Sequence, residues 1–358
     1  MATSSVIGGQ QITLNICDDE VNAASQALNQ LESSYPANAI HILTTPTVSP
    51  FPMPGQLYIF DLPSGSAVSP PAGQYGTIIS DDLHGATVSA KGSGVLVIGN
   101  NQGDSVSITG TGTMYTPNGG EFIGSGTVIT GAGNDIITVK GDATILSCAG
   151  DDSVTVQLGN ANITLGSGND TISLGGPNDT VTTAGSATVA GPSGIQATVQ
   201  GGQLLFQNGA GGESVTAGSG TATLAGGSGL TFIGGTGTTT MQGTVGGGGN
   251  DTYVGGSGSD TITAGHGAGG TLGNLFQFDT GATPEGGSHL VTNFVQGHDT
   301  IQLGSGYDID KILHLNGSDP NNTVTTDGGG NAVLSLDGGA TTITFLNVNT
   351  LNKTDFKT

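Results

Sequence analysis

Six aspartates stand where a short glycine-rich turn gives way to a run of β-formers: Asp135, Asp152, Asp170, Asp179, Asp251 and Asp260. Five of them follow a second residue with an amide or carboxylate side chain, Asn134, Asp151, Asn169, Asn178 or Asn250. All six are followed two places later by one large aliphatic or aromatic residue. The chemistry open to such a set is the binding of a hard cation. Glycine lets a tight turn bring carbonyl oxygens to one point, and the carboxylate adds a charged oxygen. A calcium ion takes six to eight oxygens at roughly 2.3–2.6 Å, more than one turn supplies. Two turns stacked one coil apart would suffice, so the spacing decides whether the aspartates can cooperate. Asp152 and Asp170 are 18 residues apart, Asp170 and Asp179 nine, Asp251 and Asp260 nine, and Asp135 and Asp152 17. One coil would then hold two turn-strand units, with turns recurring on alternate sides. Asp135 with Asp152, and Asp152 with Asp170, are the expected same-side pairs. Asn-Asp and Gly-Asp dipeptides also mark ordinary β-turns, but turn chemistry alone demands neither the period nor the fixed aliphatic place.

The phrases that carry these residues are GAGNDIITV from Gly131, AGDDSVTV from Ala149, GSGNDTISL from Gly166, GGPNDTVTT from Gly175, GGGNDTYV from Gly247 and GGSGSDTIT from Gly255. They resemble the repeats-in-toxin nonapeptide, which forms a calcium-binding parallel β-helix. The resemblance implies an all-β chain, a parallel β-roll or β-solenoid, with several Ca2+ ions as cofactor. The six aspartates would supply side-chain oxygens, and the turn glycines and asparagines the rest.

The elements that must hold these turns can be read outward from them. An aliphatic file runs through Ile137, Ile145, Val154, Ile163, Ile172 and Val181 in steps of eight or nine. The same pulse is present earlier at Val88, Val97 and Val106, and later at Val215, Leu224 and Ile233. Between Ala184 and Val245 the aspartates vanish and Glu213 alone takes an equivalent acidic place, so solenoid without strong cation sites is expected there. A solenoid spans 76–273, with calcium repeats at 131–183 and 247–263. Beside the file stand many threonines and serines, among them Thr138, Ser153, Thr171, Ser173, Thr180 and Thr261. Threonine suits an exposed strand, and a flat hydroxyl face would also suit ice, a polysaccharide or another copy of the chain.

Residues 1–75 differ. Asp18, Asp19 and Glu20 open a helix whose apolar face is Val21, Ala24, Leu28 and Leu31, with Pro36 beyond its end. AIHILTT and QLYIFDL read as strands, and Ser64 to Gly73 as a linker. A small α+β cap or assembly segment is expected. Residues 274–358 read as a β-rich closing cap with Asp-Gly turns between strands, and the run from Asn331 to Phe356 resembles the family's uncleaved C-terminal secretion region.

Composition bounds the function. Glycine supplies 67 of 358 residues, tryptophan is absent, and the formal net charge is −22 from 27 acidic and five basic residues. Nothing here could neutralise nucleic-acid phosphates, and no apolar run is long enough for a membrane span. Divalent cations would relieve the self-repulsion of such a chain. No H-E-x-x-H or G-x-S-x-G is present, and the histidines at 41, 84, 266, 289, 298 and 314 show no ligand spacing. Cys17 and Cys148 do not by themselves imply a disulfide. The opening residues lack a basic and apolar leader, which fits the export route that the resemblance implies. The expectation is a non-enzymatic, secreted, calcium-dependent structural or cell-surface protein of a bacterium: a biofilm matrix, surface-layer or self-assembling fibre subunit. The alternatives are an adhesin for ice or extracellular polysaccharide and, less favoured, a polysaccharide-modifying enzyme.

Overall fold

The computed structural model describes residues 134–357 apart from 177, 193, 209–210, 247–248, 268–272 and 280–285. Before 134 it describes little beyond strands, with side chains at 39 and from 126 to 130. The helix expected after Asp18 lies outside the described residues. Contacts divide the chain into two compact units, 1–181 and 182–358.

In the first unit, Thr3–Ile7 pairs antiparallel with Gln10–Leu14. The two strands expected from AIHILTT and QLYIFDL are Ile40–Leu43 and Leu57–Phe60, paired in parallel. The solenoid follows. Thr87–Ile98, Ser105–Thr116 and Gly119–Thr130 are twelve-residue strands stacked in parallel. Ala67–Val68, inside the expected linker, already pairs with the start of the first of them. Its two residues are too few for composition to distinguish from the prolines and serines around it.

After Thr130 each coil divides into two strands. Ile136–Lys140 stacks on the first half of Gly119–Thr130, and Ala143–Leu146 on its second half. Ser153–Leu158 and Asn169–Ser173 continue one row; Ala161–Leu165 continues the other. Ile137, Val154 and Ile172 are register partners in the first row and Ile145 and Ile163 in the second, all at most 1% exposed. The nine-residue pulse of the sequence is therefore two interleaved columns, each advancing one coil every 17 or 18 positions. Burying each such side chain contributes about 1.5–3 kcal/mol. Strand alternation sends the neighbouring Thr and Ser outward; Ser153, Thr164, Thr171 and Ser173 are exposed. Cys148 is disulfide-bonded, and the sequence holds one other cysteine, Cys17, outside the described residues.

In the second unit the parallel rows run past residue 273. One row comprises Ser186–Gly191, Leu204–Asn208, Thr221–Gly226, Thr238–Gly243, Ser259–Thr263, Gly287–Thr292 and Thr341–Phe345. The other comprises Gln196–Val199, Ser214–Thr216, Thr231–Ile233, Thr252–Val254, Leu275–Phe278 and Thr300–Leu303. Coils lengthen toward the end: Leu204 pairs with Ala222, 18 positions on, whereas Ser259 pairs with Ser288, 29 on. The core changes with them, from aliphatic to aromatic. Phe232, Tyr253 and Phe276 form one column, Tyr253 stacking on Phe276 at 5.2 Å.

Between rows, glycine permits the coils to approach. A Cβ on Gly220 would lie 1.4 Å from the carbonyl oxygen of Gly202, and one on Gly237 would lie 1.9 Å from that of Gly220. The aspartate-free region thus keeps its glycines for stacking. Beyond Thr300–Leu303 comes a single helical turn, α1 (Ile309–Ile312), capped by Asp308. Ala332–Leu336 then adds antiparallel to Thr341–Phe345, and Thr323–Thr326 to Ala332–Leu336. The hairpins turn at Asp327 and Asp337, as the Asp-Gly pairs foretold. The exposed edge is four residues long, which blunts further strand addition.

Candidate cation site in the stacked turns

The aspartates point inward. Asp135, Asp152, Asp170, Asp179, Asp251 and Asp260 are all at most 3% exposed. Each stands at the head of a strand or just before it, at an inward place two residues ahead of the aliphatic file. There the carboxylates form a ladder. Oδ1 of Asp152 accepts the main-chain N–H of Asp135 at 3.0 Å, and Oδ1 of Asp170 accepts that of Asp152 at 3.2 Å. Ladder bonds run the other way through the main chain, Ser153 N–H donating to the Asp135 carbonyl at 2.7 Å and Thr171 to that of Asp152 at 2.7 Å. The structure therefore brings Asp135, Asp152 and Asp170 into one column. Asp179 sits in the other row, its Oδ1 accepting from Ala161 N–H at 2.7 Å.

One carboxylate oxygen in this arrangement is a structural acceptor, and the second decides what else the group can do. Asp152 Oδ2 takes the Ser147 hydroxyl at 2.6 Å. Among the described residues, both oxygens of Asp135 and Oδ2 of Asp179 are buried with no hydrogen-bond partner. A buried carboxylate left unsatisfied is costly, and the electrostatics register it. Burial, opposed in part by the nearby Thr130 and Ser147 hydroxyls and reinforced by the Asp152 carboxylate, pushes Asp135 up to about 8. Burial likewise raises Asp152, Asp179 and Asp251. An acid left with unpartnered oxygens, as Asp135 is, needs a proton or a cation.

The asparagines and Asp151 do something else. Asn134 Oδ1 accepts from Asp151 N–H at 2.9 Å, and Asp151 Oδ1 accepts from Asn169 N–H at 2.8 Å, with all three exposed. Alternation puts this second ladder on the outside of the same strands, so its side chains do not join the inward carboxylates. Asn178 and Asn250 take positive φ, 63° and 62°, and serve the turn geometry itself. The orphaned oxygens of this column are those of Asp135, and a hard cation held there would need main-chain carbonyls for the rest of its shell. No group of three or more His, Cys, Asp or Glu side chains suited to a metal occurs among the described residues. Gly131, Ala132 and Gly133, the turn before Asp135, lie outside them.

In the second unit Asp251 and Asp260 stand in opposite rows without a stacked carboxylate. Asp251 has Leu230 below it and Asn274 above, giving Oδ1 to Leu230 N–H at 3.1 Å and Oδ2 to the Tyr253 hydroxyl at 3.2 Å. Asp260 has Thr239 below and His289 above. Glu213 occupies the expected equivalent place, 1% exposed, with Oε1 accepting Gly211 N–H at 3.0 Å and Oε2 unpartnered.

Four buried or half-buried partners escaped the sequence reading: His266, Asn274, His289 and Asp299. His266 Nε2 lies 3.0 Å from Asp299 Oδ2, and His289 Nδ1 lies 2.9 Å from Asp260 Oδ2. Asp299-Thr300-Ile301 repeats the Asp-x-aliphatic phrase, so a signal existed; the 25-residue step from Asn274 took it out of period. Among the described residues no helix is long and apolar enough to cross a membrane. In comparisons with known proteins, the chain matches no family model, no curated protein and no solved structure.

Proposed function

We propose that the chain is a calcium-responsive β-solenoid of the repeats-in-toxin kind, exported from a bacterium and serving as a structural or cell-surface component without enzymatic activity. The observation that carries this reading is the column Asp135, Asp152 and Asp170, stacked inward with Asp135 lacking a partner for either oxygen. Bound calcium would supply the positive charge that lets these carboxylates stack ionised. The chain's own residues hold the coils in register through the ladder bonds and present oxygens from successive turns. Since binding free energy here is folding free energy, a site filled at 100 times its dissociation constant adds about 2.7 kcal/mol. Where calcium is scarce the acidic column opposes folding, and outside the cell it favours it. Self-association into a polymer or array is the use proposed for the folded solenoid.

The test is a calcium titration of the chelator-treated full chain, read by far-ultraviolet circular dichroism, with magnesium in parallel. β signal and melting temperature should rise with calcium and much less with magnesium, which demands near-ideal octahedral geometry and gives up its water reluctantly. Equal order with and without calcium removes the reading. Negative-stain imaging at millimolar calcium then separates arrays from monomers.

A second reading, an adhesin, has one observation in its favour. Between 182 and 250 the only charged residue is Glu213, which is buried. The outward places Thr221, Thr223, Thr238, Thr240, Ser259 and Thr261 are exposed and in register on three successive coils. A neutral hydroxyl face on an otherwise acidic chain suits an uncharged polysaccharide or ice. Sedimentation with an insoluble neutral glucan, and a thermal hysteresis measurement, distinguish the two.

A further inference from the structure

The acidic positions of the second unit are built differently from those of the first. Above Asp135 stands Asp152 and above that Asp170, carboxylate upon carboxylate. Above Asp260 stands His289, its register partner, 3% exposed and packed against Phe278 at 5.0 Å. A carboxylate has no proton to give, so His289 Nδ1–H donates to Asp260 Oδ2 at 2.9 Å, and Gly256 N–H donates to the same oxygen at 3.1 Å. Asp299 is filled on both sides. Its Oδ2 takes His266 Nε2 at 3.0 Å and Val295 N–H at 2.8 Å, and its Oδ1 takes the N–H and side-chain amide of Asn274 at 2.7 and 3.1 Å. Asp251 gives both oxygens to protein donors, Leu230 N–H and the Tyr253 hydroxyl.

We infer that the second unit carries its own donors in place of a metal: His289 for Asp260, His266 with Asn274 for Asp299, and Tyr253 for Asp251. The calcium requirement proposed above is thereby confined to the first unit, an assignment that rests on that proposal. Of the acids in the repeat turns of this unit, Asp260 Oδ1 and Glu213 Oε2 remain buried without hydrogen-bond partners among the described residues. Neither has a carboxylate stacked next to it, since Asp260 lies between Thr239 and His289 and Glu213 is followed in its column by Leu230. A lone oxygen beside an imidazole or a leucine falls far short of a calcium shell.

The consequence is a chain in two states of readiness. The second unit holds its fold where calcium is absent, and the first orders only when the ion arrives. Hydrogen exchange of the full chain, in chelator and in millimolar calcium, reads the two regions separately. Peptides covering 136–173 should gain at least tenfold protection with calcium, while those covering 238–264 and 286–303 should be equally protected in both. Asp152→Asn should raise the calcium midpoint of the first region, and Asp260→Asn should leave it unmoved. His289→Leu should lower protection of 238–303 in chelator. His289→Asn, which keeps a donor near the place of Nδ1, should restore part of it. If 238–303 also needs calcium, the inference is overturned while the calcium reading stands. If neither region responds, the calcium reading itself falls.

Discussion

Ser147 donates its hydroxyl to Asp152 at 2.6 Å across a turn of the same coil, while the other oxygen of Asp152 holds the main-chain N–H of Asp135 in the coil before. Asp152 thus serves as an acceptor in the ladder, and in the proposed calcium column it has a second duty that needs charge. Asparagine can perform the first and not the second. Asp152→Asn should leave the metal-free chain at least as stable, because it removes a buried charge, yet raise the calcium needed for folding. Asp152→Ala should cost about 1–3 kcal/mol under both conditions, the penalty for stranding buried donors. Chemical denaturation with and without chelator measures both. If Asp152→Asn and Asp152→Ala behave alike, the ladder and the charge have not been separated and this account of Asp152 fails.

The metal-free chain should become less stable as pH rises. An aspartate in the unfolded chain titrates near 3.9, whereas burial carries Asp135 up to about 8. A raised carboxyl holds its proton more tightly in the folded state, so the folded form is relatively favoured below the unfolded value. That advantage is lost as pH climbs toward 8. Asp152 and Asp179, raised by the same burial, add in the same direction. Melting temperature in chelator should therefore fall between pH 5 and pH 8, the reverse of ordinary acid denaturation, and calcium at pH 8 should restore it. A flat or rising profile in chelator would mean that these carboxylates are not buried as the geometry has them.

How far the sequence disclosed this arrangement depends on what each residue does. Ile137 and Val154 disclosed the columns because an inward aliphatic every coil is forced by the stacking itself. Asp135 and Asp152 disclosed their alignment because 17 and 18 positions are one coil. The direction of Asn134 and Asp151 was less legible. They share a turn with the aspartates, and only the strand's two-residue alternation sends them outside. His289 was hidden, since nothing in a 29-residue step from Ser259 to Ser288 shows that an imidazole lands on Asp260. The aromatic core was hidden too. Phe206, Phe232, Tyr253, Phe276 and Phe345 lie far apart in the sequence, yet each is fully buried in the second unit.

Glycine stacking predicts a sharp contrast between two substitutions. A Cβ at Gly220 meets the Gly202 carbonyl at 1.4 Å, and the obstacle is backbone, which cannot swing aside. A Cβ at Gly306 meets nothing within 4 Å. Gly220→Ala should cost about 1–3 kcal/mol or more by forcing adjacent coils apart, whereas Gly306→Ala should stay within about 0.5 kcal/mol of the parent. Thermal melts at saturating calcium make the comparison. Equal melting temperatures would show that the coils are not stacked as closely as the carbonyl contacts require.

Tyr253 separates the polar from the apolar part of the second unit's core. Its ring stacks on Phe276 at 5.2 Å and tilts against Phe232 at 6.1 Å, while its hydroxyl donates to Asp251 Oδ2 and accepts from Gly265 N–H at 3.3 Å. Tyr253→Phe keeps the stack and strands both the carboxylate and the amide, so it should cost about 1–3 kcal/mol. Phe276→Ala keeps those hydrogen bonds and opens the column, at about 3–5 kcal/mol. Because the two losses share Tyr253, they should fail to add in the double variant, with a coupling of about 0.5 kcal/mol or more. Additive losses in a denaturant series would place the ring stack and the Asp251 network in separate parts of the core, and the aromatic column would then have no role in holding the acid.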